Sequence, residues 1–304
     1  MAAWGENDIK DQSGRTVVIT GANSGLGLRA ATVLAGKGAR VILACRSRER
    51  GEPAAAAVGG ELVLLDVSDL GSVRAAAAEI RERTGDRVEL LINNAGIPAG
   101  KLRRTVDGHE SILATNHLGH AALTWQLMPA LRAGDAARVV AVSSIAQRGK
   151  GFDVEDLDFE RRRFRMAYAY SQSKLAVLMF ALELQERLRA ADSSVISLAA
   201  HPGFTATEIA AAGARNQGLG RFAKPLNAMT KAVSQSVPEG TLPLLFAATA
   251  PEALGGGYYG PRKFGELFGG VGPARVDPRA GDPLLRARLW TRTAELTGVR
   301  PDPA

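Results

Sequence analysis

The sequence predicts an α/β chain built on a doubly wound parallel sheet with helices on both faces, and three observations carry that expectation. Short β-branched runs alternate with longer alanine- and leucine-rich segments through the first half, as βαβ units require. The segments between the runs are each long enough for a right-handed crossover. No repeat of solenoid period and no low-complexity linker divides the 304 residues, so a single domain over 1–304 is expected.

Strands are expected where β-branched residues concentrate: TVVIT (16–20), RVILA (40–44), ELVLL (61–65), VELLI (88–92), RVVAVS (138–143) and SVISLA (194–199). Helices fill the intervals at about 25–37, 47–57, 69–83, 108–132 and 168–190. The stretch 173–189 is apolar around most of its circumference. That fits a helix buried twice, once on the sheet and once against another subunit, and a buried core helix almost as well. The Gly- and Pro-rich stretch 251–273 reads as a final strand followed by a surface loop. In the C-terminal extension, about 261–304, residues 282–299 carry apolar and charged residues at helical spacing and should pack back as an amphipathic helix.

Composition narrows the classes. With 46% hydrophobic and 23% charged residues the chain is globular rather than disordered. No apolar run reaches membrane-spanning length, and the opening MAAWGENDIKDQSG is too polar for a signal peptide, so a cytoplasmic protein without a membrane partner is expected. The single cysteine, Cys45, excludes an internal disulfide framework and is expected to pack. Arginines outnumber lysines 30 to 8 within a net charge of +7, yet they are scattered, with clusters only at 45–50 and 160–165. No basic stripe interleaves with aromatics, so the excess reads as solvated surface and no nucleic-acid partner is expected.

Chemistry concentrates in a few stretches. The first strand runs directly into TGANSGLG (20–27), where Gly21, Gly25 and Gly27 permit a tight turn and bring backbone close to a pyrophosphate at a helix N-terminus. Asn23, Ser24 and Leu26 complete that candidate cofactor turn. At the end of the second strand, where an acid would accept from an adenine ribose hydroxyl, the sequence reads Cys45 and then Arg46, with Arg48 close behind. A guanidinium there favours the 2′-phosphate of NADP over NAD. His117 and His120 lie three apart, but no third cluster completes a metal site, so both are expected to pack or face solvent. In RMAYAYSQSKLA, Tyr170 has Lys174 four residues on, a spacing at which helical side chains meet, whereas Tyr168 has Gln172 and is expected only to pack.

The glycine turn is followed, in order, by LDVSD (65–69), NNAG (93–96), TNHLGH (115–120), VSS (142–144), Tyr170 with Lys174, and HPG (201–203). On these motifs the chain resembles the short-chain dehydrogenase/reductase family over roughly residues 12–260. The resemblance implies a Rossmann-type domain. It sets Asp66 and Val67 beside the adenine of a dinucleotide, has Asn93, Ala95 and Gly96 shape the cofactor groove, and puts Pro202 and Gly203 on the nicotinamide side. Thr207 takes the carboxamide-holding position, with Thr205 as its substitute. Asn116, Ser144, Tyr170 and Lys174 form the implied catalytic set, and Tyr170 and Lys174 also meet the cofactor.

The chemistry asks for such a set. Hydride reduction of a carbonyl builds negative charge on oxygen, so one group must protonate it while others hold it. Tyr170 is the expected proton donor, and a lysine cation beside it should favour phenolate and lower its pKa. Ser144 would hold the substrate oxygen, and Asn116 would anchor a water linking Lys174 to solvent. Ser143 competes with Ser144, but adjacent strand residues point to opposite faces, and the family's pattern favours the second.

Ser144 and Tyr170 are 26 residues apart, a longer interval than in many members of the family. Together with ACR and TNHLGH, this insertion resembles the subgroup of retinol dehydrogenases and protochlorophyllide-reductase-like enzymes. The loop 204–240, rich in Ala, Phe, Leu and Met, is expected to cover a mainly apolar substrate. The expected function is NADP(H)-dependent interconversion of an apolar alcohol and its aldehyde or ketone. Reduction of a conjugated carbon–carbon double bond and a non-catalytic NADP-sensing module are the alternatives.

Overall fold

The structure, a computed structural model, describes residues 4–98, 100–205 and 234–304. Of the expected substrate loop, 206–233 lie outside the described residues, and Thr207 with them. Alternation of strand and helix begins with β1 (Thr16–Thr20), α1 (Gly25–Gly36), β2 (Arg40–Cys45), α2 (Arg48–Val58), β3 (Glu61–Leu64), α3 (Leu70–Thr84) and β4 (Leu90–Asn93). Of these strands β1, β2 and β4 are buried on both faces, which is why they read as continuous apolar runs rather than alternating ones. Helix starts are sequence-encoded: Ser47 caps α2 through the Arg50 amide, and Asp69 caps α3 through the Gly71 and Ser72 amides.

The expected helix 108–132 is not uniform. It divides into α4 (Ser111–Leu113), a π-helical turn (Ala114–Leu118) and α5 (Gly119–Ala133). The buried Glu110 carboxylate caps its start, accepting from the Ile112 and Leu113 amides at 2.8 and 2.9 Å. At Gly119 the helix passes so close to Val67 that an added Cβ would lie 1.8 Å from its carbonyl oxygen. The widened turn carries Asn116 at its middle, within reach of Ile97.

The chain continues through β5 (Arg138–Val142), a 3-10 turn (Ile145–Arg148), α6 (Met166–Ala190), β6 (Ile196–Ala200), α7 (Val237–Thr249), β7 (Tyr258–Lys263), β8 (Phe268–Pro273), α8 (Pro278–Gly281) and α9 (Pro283–Thr297). One eight-stranded sheet results, in the order β3-β2-β1-β4-β5-β6-β7-β8. All its pairs are parallel except β7 with β8. Where a surface loop was expected after β7, the chain reverses into β8. Phe264, Gly265 and Glu266 take left-handed φ values of 51°, 67° and 72° to make the turn. The sequence FGGVGP conceals this strand, because three glycines and a proline remove the usual strand signal.

Two apolar layers flank the sheet. Ala30, Leu34 and Leu245 pack on one face, and Ile80, Leu127 and Phe180 on the other. The outer face of α6 is covered by α9 of the same chain, with Trp290 stacked on Phe180 at 5.3 Å. Among the described residues no helix is long and apolar enough to cross a membrane.

Candidate active site

The strand order reverses between β1 and β4, and the glycine turn sits at the carboxyl end of that switch point, where doubly wound sheets bind ligands. Gly21 and Gly25 adopt φ of 65° and 55°. A Cβ on Gly27 would lie 2.5 Å from Asn94 Nδ2 and 2.7 Å from the Gly21 oxygen, so the turn is drawn against the loop after β4. Thr20 is the fastener: its Oγ1 accepts from the Asn94 and Ala95 amides, each at 2.9 Å, while Asn94 Nδ2 donates to the Thr20 carbonyl at 2.8 Å. Cys45 joins the same turn, its sulfur accepting from the Ala22 and Asn23 amides, and burial pushes its pKa up. Ser24, at the N-cap of α1, makes no side-chain cap, so the first amides of that helix remain free for an anion. This cradle of close backbone and uncapped amides fits a dinucleotide pyrophosphate.

Arg46 follows β2 with its side chain 68% exposed and one guanidinium nitrogen 3.9 Å from Asp66 Oδ2. Arg48 is committed to Glu52 at 2.9 Å. Asp66 is itself held as an acceptor from Ser68 N and Oγ at 2.9 and 2.6 Å, and Val67 is buried. Of the NNAG residues, Ala95 donates its amide to Thr20 Oγ1, and Gly96 faces the Asn116 and Lys174 side chains. Asn93 turns away, donating to Thr124 Oγ1 at 2.9 Å and leaving its buried Oδ1 without a hydrogen-bond partner.

Asn116, Ser144, Tyr170 and Lys174 converge from the π-helical turn, the end of β5 and the first turns of α6. The Asn116 side chain accepts from the Ile97 amide at 2.9 Å and donates to Ser173 Oγ at 2.9 Å. Ser144 caps the 3-10 turn through the Ala146 amide at 3.2 Å, and its hydroxyl lies close enough to the Tyr170 phenol to pull that group's pKa down. Ser143 points the other way and donates to the Lys174 carbonyl at 2.7 Å, as strand alternation predicts. Lys174 Nζ lies 5.9 Å from the Tyr170 ring centre and donates to the Val142 carbonyl at 2.9 Å.

The electrostatics correct one expectation. Lys174 was expected to lower the Tyr170 pKa, but burial holds that phenol above its ordinary value, with the Ser144 hydroxyl as the lowering influence. Burial acts on Lys174 too, bringing its pKa down to about 8. The ammonium donates to the Val142 carbonyl rather than to the phenol, which is why its charge does little for the tyrosine.

The two TNHLGH histidines are buried and bonded, so solvent exposure is not their place. His117 meets Thr293 Oγ1 at 2.8 Å, and burial brings its pKa down to about 3. His120 bridges Thr20 Oγ1 at 2.9 Å and the Asn116 carbonyl at 3.1 Å, and burial brings it down to about 4. It thus couples the cofactor turn to the π-helical turn. Among the described residues no three His, Cys, Asp or Glu side chains group as metal ligands.

On the far side, Pro202 and Gly203 follow β6. Gly203 has φ of 68°, and a Cβ there would lie 2.5 Å from the Leu267 carbonyl oxygen. Thr205 Oγ1 donates back to the Pro202 carbonyl at 2.9 Å. The insertion before Tyr170 is ordered by Asp156, which accepts from the Glu160 and Arg162 amides, and by Gln172, which donates to the Leu157 carbonyl at 2.7 Å. Through it Phe164 joins Ile97, Tyr168 and Tyr170 around buried Ile112 and Phe159, so Tyr168 packs beside the site. Sequence reasoning gave Thr20, Asn94, His120 and His201 no part in the site, although each lies in a motif it singled out: TGANSGLG, NNAG, TNHLGH and HPG.

Comparison with known proteins places this geometry in a class. Residues 15–218 match the short chain dehydrogenase family, and the chain belongs to it. It is 35% identical to human retinol dehydrogenase 13 over 296 residues, covering 94% of this chain and 85% of that one. Human retinol dehydrogenase 12 is 36% identical, with 94% and 87% covered. A solved structure of an uncharacterized Mycobacterium paratuberculosis protein superposes with a TM-score of 0.80 at 40% identity, covering 98% of this chain and 99% of that one. The protein is therefore a retinol dehydrogenase-like oxidoreductase of a family that uses NAD or NADP on small alcohols and carbonyl compounds.

Proposed function

We propose that the chain interconverts an apolar alcohol and its aldehyde or ketone with NADP(H), using Tyr170 as general acid and base. The observation that carries this reading is the convergence of the Tyr170 phenol, the Ser144 hydroxyl that pulls its pKa down and the Lys174 ammonium, 5.9 Å from the Tyr170 ring centre. NADPH, when bound, supplies the hydride. Ser144 holds the substrate oxygen, Tyr170 delivers a proton to it, and Lys174, with a pKa of about 8, is poised to restore that proton near neutral pH. Asn116 anchors a water in this relay, and the small cavity that Asn93, Asn116 and His120 line has room for about one water.

Gly21, Asn23, Ser24, Gly25, Leu26 and Gly27 would hold the pyrophosphate, Asp66 and Val67 the adenine, and Ala95 and Gly96 the groove floor. Tyr170 and Lys174 would meet the nicotinamide ribose, and Pro202 and Gly203 the ring. Thr205 supports the last segment through its bond to Pro202, and Asn93 acts from behind through Thr124. The exposed Arg46 guanidinium, free of the pairing that occupies Arg48, supports NADP over NAD. Partly buried Ile97, Phe164 and Tyr168 beside Tyr170 support an apolar substrate.

Tyr170→Phe should lose at least about a thousandfold in kcat, the scale of a lost general acid, while NADPH affinity by fluorescence titration stays within about threefold. Retained turnover on a panel of aldehydes, ketones and enones would remove Tyr170 from the mechanism, and product analysis of the enones separates carbonyl from double-bond reduction.

A further inference from the structure

A buried ionic group lies just behind the site, and no step above uses it. Glu266 sits in the β7–β8 turn, 7% exposed, and its carboxylate reaches two other segments. Oε2 accepts from Arg148, the last residue of the 3-10 turn that Ser144 caps, and lies 3.4 Å from His201 Nε2. Oε1 accepts from the Arg275 amide at 2.9 Å and lies 3.8 Å from Arg275 Nε. His201 precedes Pro202 and Gly203, and its Nδ1 accepts the Gly203 amide proton at 3.2 Å. The Nε2 of that neutral ring is buried and, although 3.4 Å from Glu266, makes no hydrogen bond to it. Burial first, then the Arg148 charge, brings the His201 pKa down to about 4 and keeps that ring neutral. Leu267, the next turn residue, accepts from the Phe204 amide at 3.0 Å and from Gln235 Nε2 at 2.8 Å.

The turn is also strained. Phe264 and Glu266 adopt left-handed backbone without being glycine, at a cost of roughly 1–2 kcal/mol each. Such strain persists where surrounding contacts over-determine it, and it gathers at functional sites. Here those contacts lead to the 3-10 turn behind Ser144 and to the Pro202–Gly203 segment.

We infer that Glu266 is a positioning residue for hydride transfer: it holds Arg148 of the 3-10 turn behind Ser144 to the β7–β8 turn, whose next residue, Leu267, bonds the Phe204 amide and Gln235, and so it fixes the spacing between the Ser144 hydroxyl and the Pro202–Gly203 segment. The inference rests on the roles proposed above for those two segments. It makes the β7–β8 hairpin part of the reaction geometry.

Three variants test it against NADPH and a turned-over aldehyde: Glu266→Gln, Arg148→Met, and the two combined. Glu266→Gln takes the carboxylate from a part-buried Arg148 guanidinium and Arg148→Met leaves buried Glu266 with Arg275 alone, so both singles should lose stability, whereas the double removes both charges and should recover most of it. A merely structural pair predicts that kcat recovers with stability. A positioning pair predicts that kcat of the double stays at least about tenfold low, with NADPH affinity within about threefold, because misplacement by about an ångström is enough. Glu266→Asp, which keeps the charge, should restore part of kcat. Recovery of the double to within about twofold of the wild type overturns the inference, as does a Glu266→Gln enzyme of full activity. Should either single fail to fold, the double alone decides. Activity in Tyr170→Phe would instead sink the reading of the site itself, so the two failures are distinguishable.

Discussion

The proposed preference for NADP rests on one exposed side chain, Arg46. Its guanidinium is mostly exposed and only 3.9 Å from Asp66, so its charge is screened and partly balanced. A 2′-phosphate would offer it a bidentate partner that the ribose hydroxyl of NAD cannot. Arg46→Ala should therefore raise KM for NADPH roughly tenfold and leave KM for NADH nearly unchanged, read by steady-state kinetics with both cofactors. Equal effects on both would remove Arg46 from the discrimination.

His109 offers a second residue-scale test. Its Nδ1 meets Asp158 Oδ2 at 3.0 Å and its Nε2 meets the Leu296 carbonyl at 2.9 Å. A carbonyl only accepts, so both ring nitrogens are donors and the imidazolium is the form that fits. The Asp158 hydrogen bond raises its pKa above the ordinary value, against desolvation, with the Leu296 carbonyl and the Asp107 charge acting with Asp158. Arg104 and Glu110, of opposite sign, also face this group. A pKa raised on folding gives stability that is fully present below the ordinary histidine value of about 6.5 and is lost as pH rises through the folded value. The Tm of the wild type should thus fall toward that of His109→Asn as pH is raised across that window. A constant Tm difference would refute it.

At the scale of elements, what the sequence revealed follows from the range of the forces involved. The first six strands and the helices between them were legible, because propensity and burial agree within each segment. The set Asn116, Ser144, Tyr170 and Lys174 was legible from motif order. The π-helical turn was not, since its companion is a contact between Gly119 and Val67 that no local pattern encodes. Strand β8 was hidden by its own glycines. The Arg148–Glu266 pair joins residues 118 apart, and nothing in either neighbourhood announces the other. Cys45 was expected only to pack, yet its sulfur also takes two amides of the glycine turn.

The whole molecule is closed by its C-terminal helix. The apolar circumference of α6 left two readings open, a partner subunit or a buried core helix. In the structure α9 covers that surface, with Trp290 against Phe180 and Trp125, Arg187 over the Trp290 ring at 4.8 Å, and Thr293 bonded to His117. His109 holds the last turn of α9 at the Leu296 carbonyl, and the Arg132–Asp302 pair fastens the chain beyond it. Trp290→Ala should cost about 3–5 kcal/mol in denaturant titration, as for other buried aromatic truncations, while NADPH affinity of the folded protein persists. A loss under about 1 kcal/mol would show that α9 is merely laid on the surface.

The same aromatic group gives the protein an optical gauge. Of its three tryptophans, Trp125 of α5 and Trp290 of α9 stand 5.0 Å apart where the two helices meet, while Trp4 packs on Phe246 across the sheet. Emission therefore divides into two reporters on opposite faces. Undocking of the C-terminal helix would change one and leave the other still, so partial opening and global unfolding can be told apart in a single spectrum.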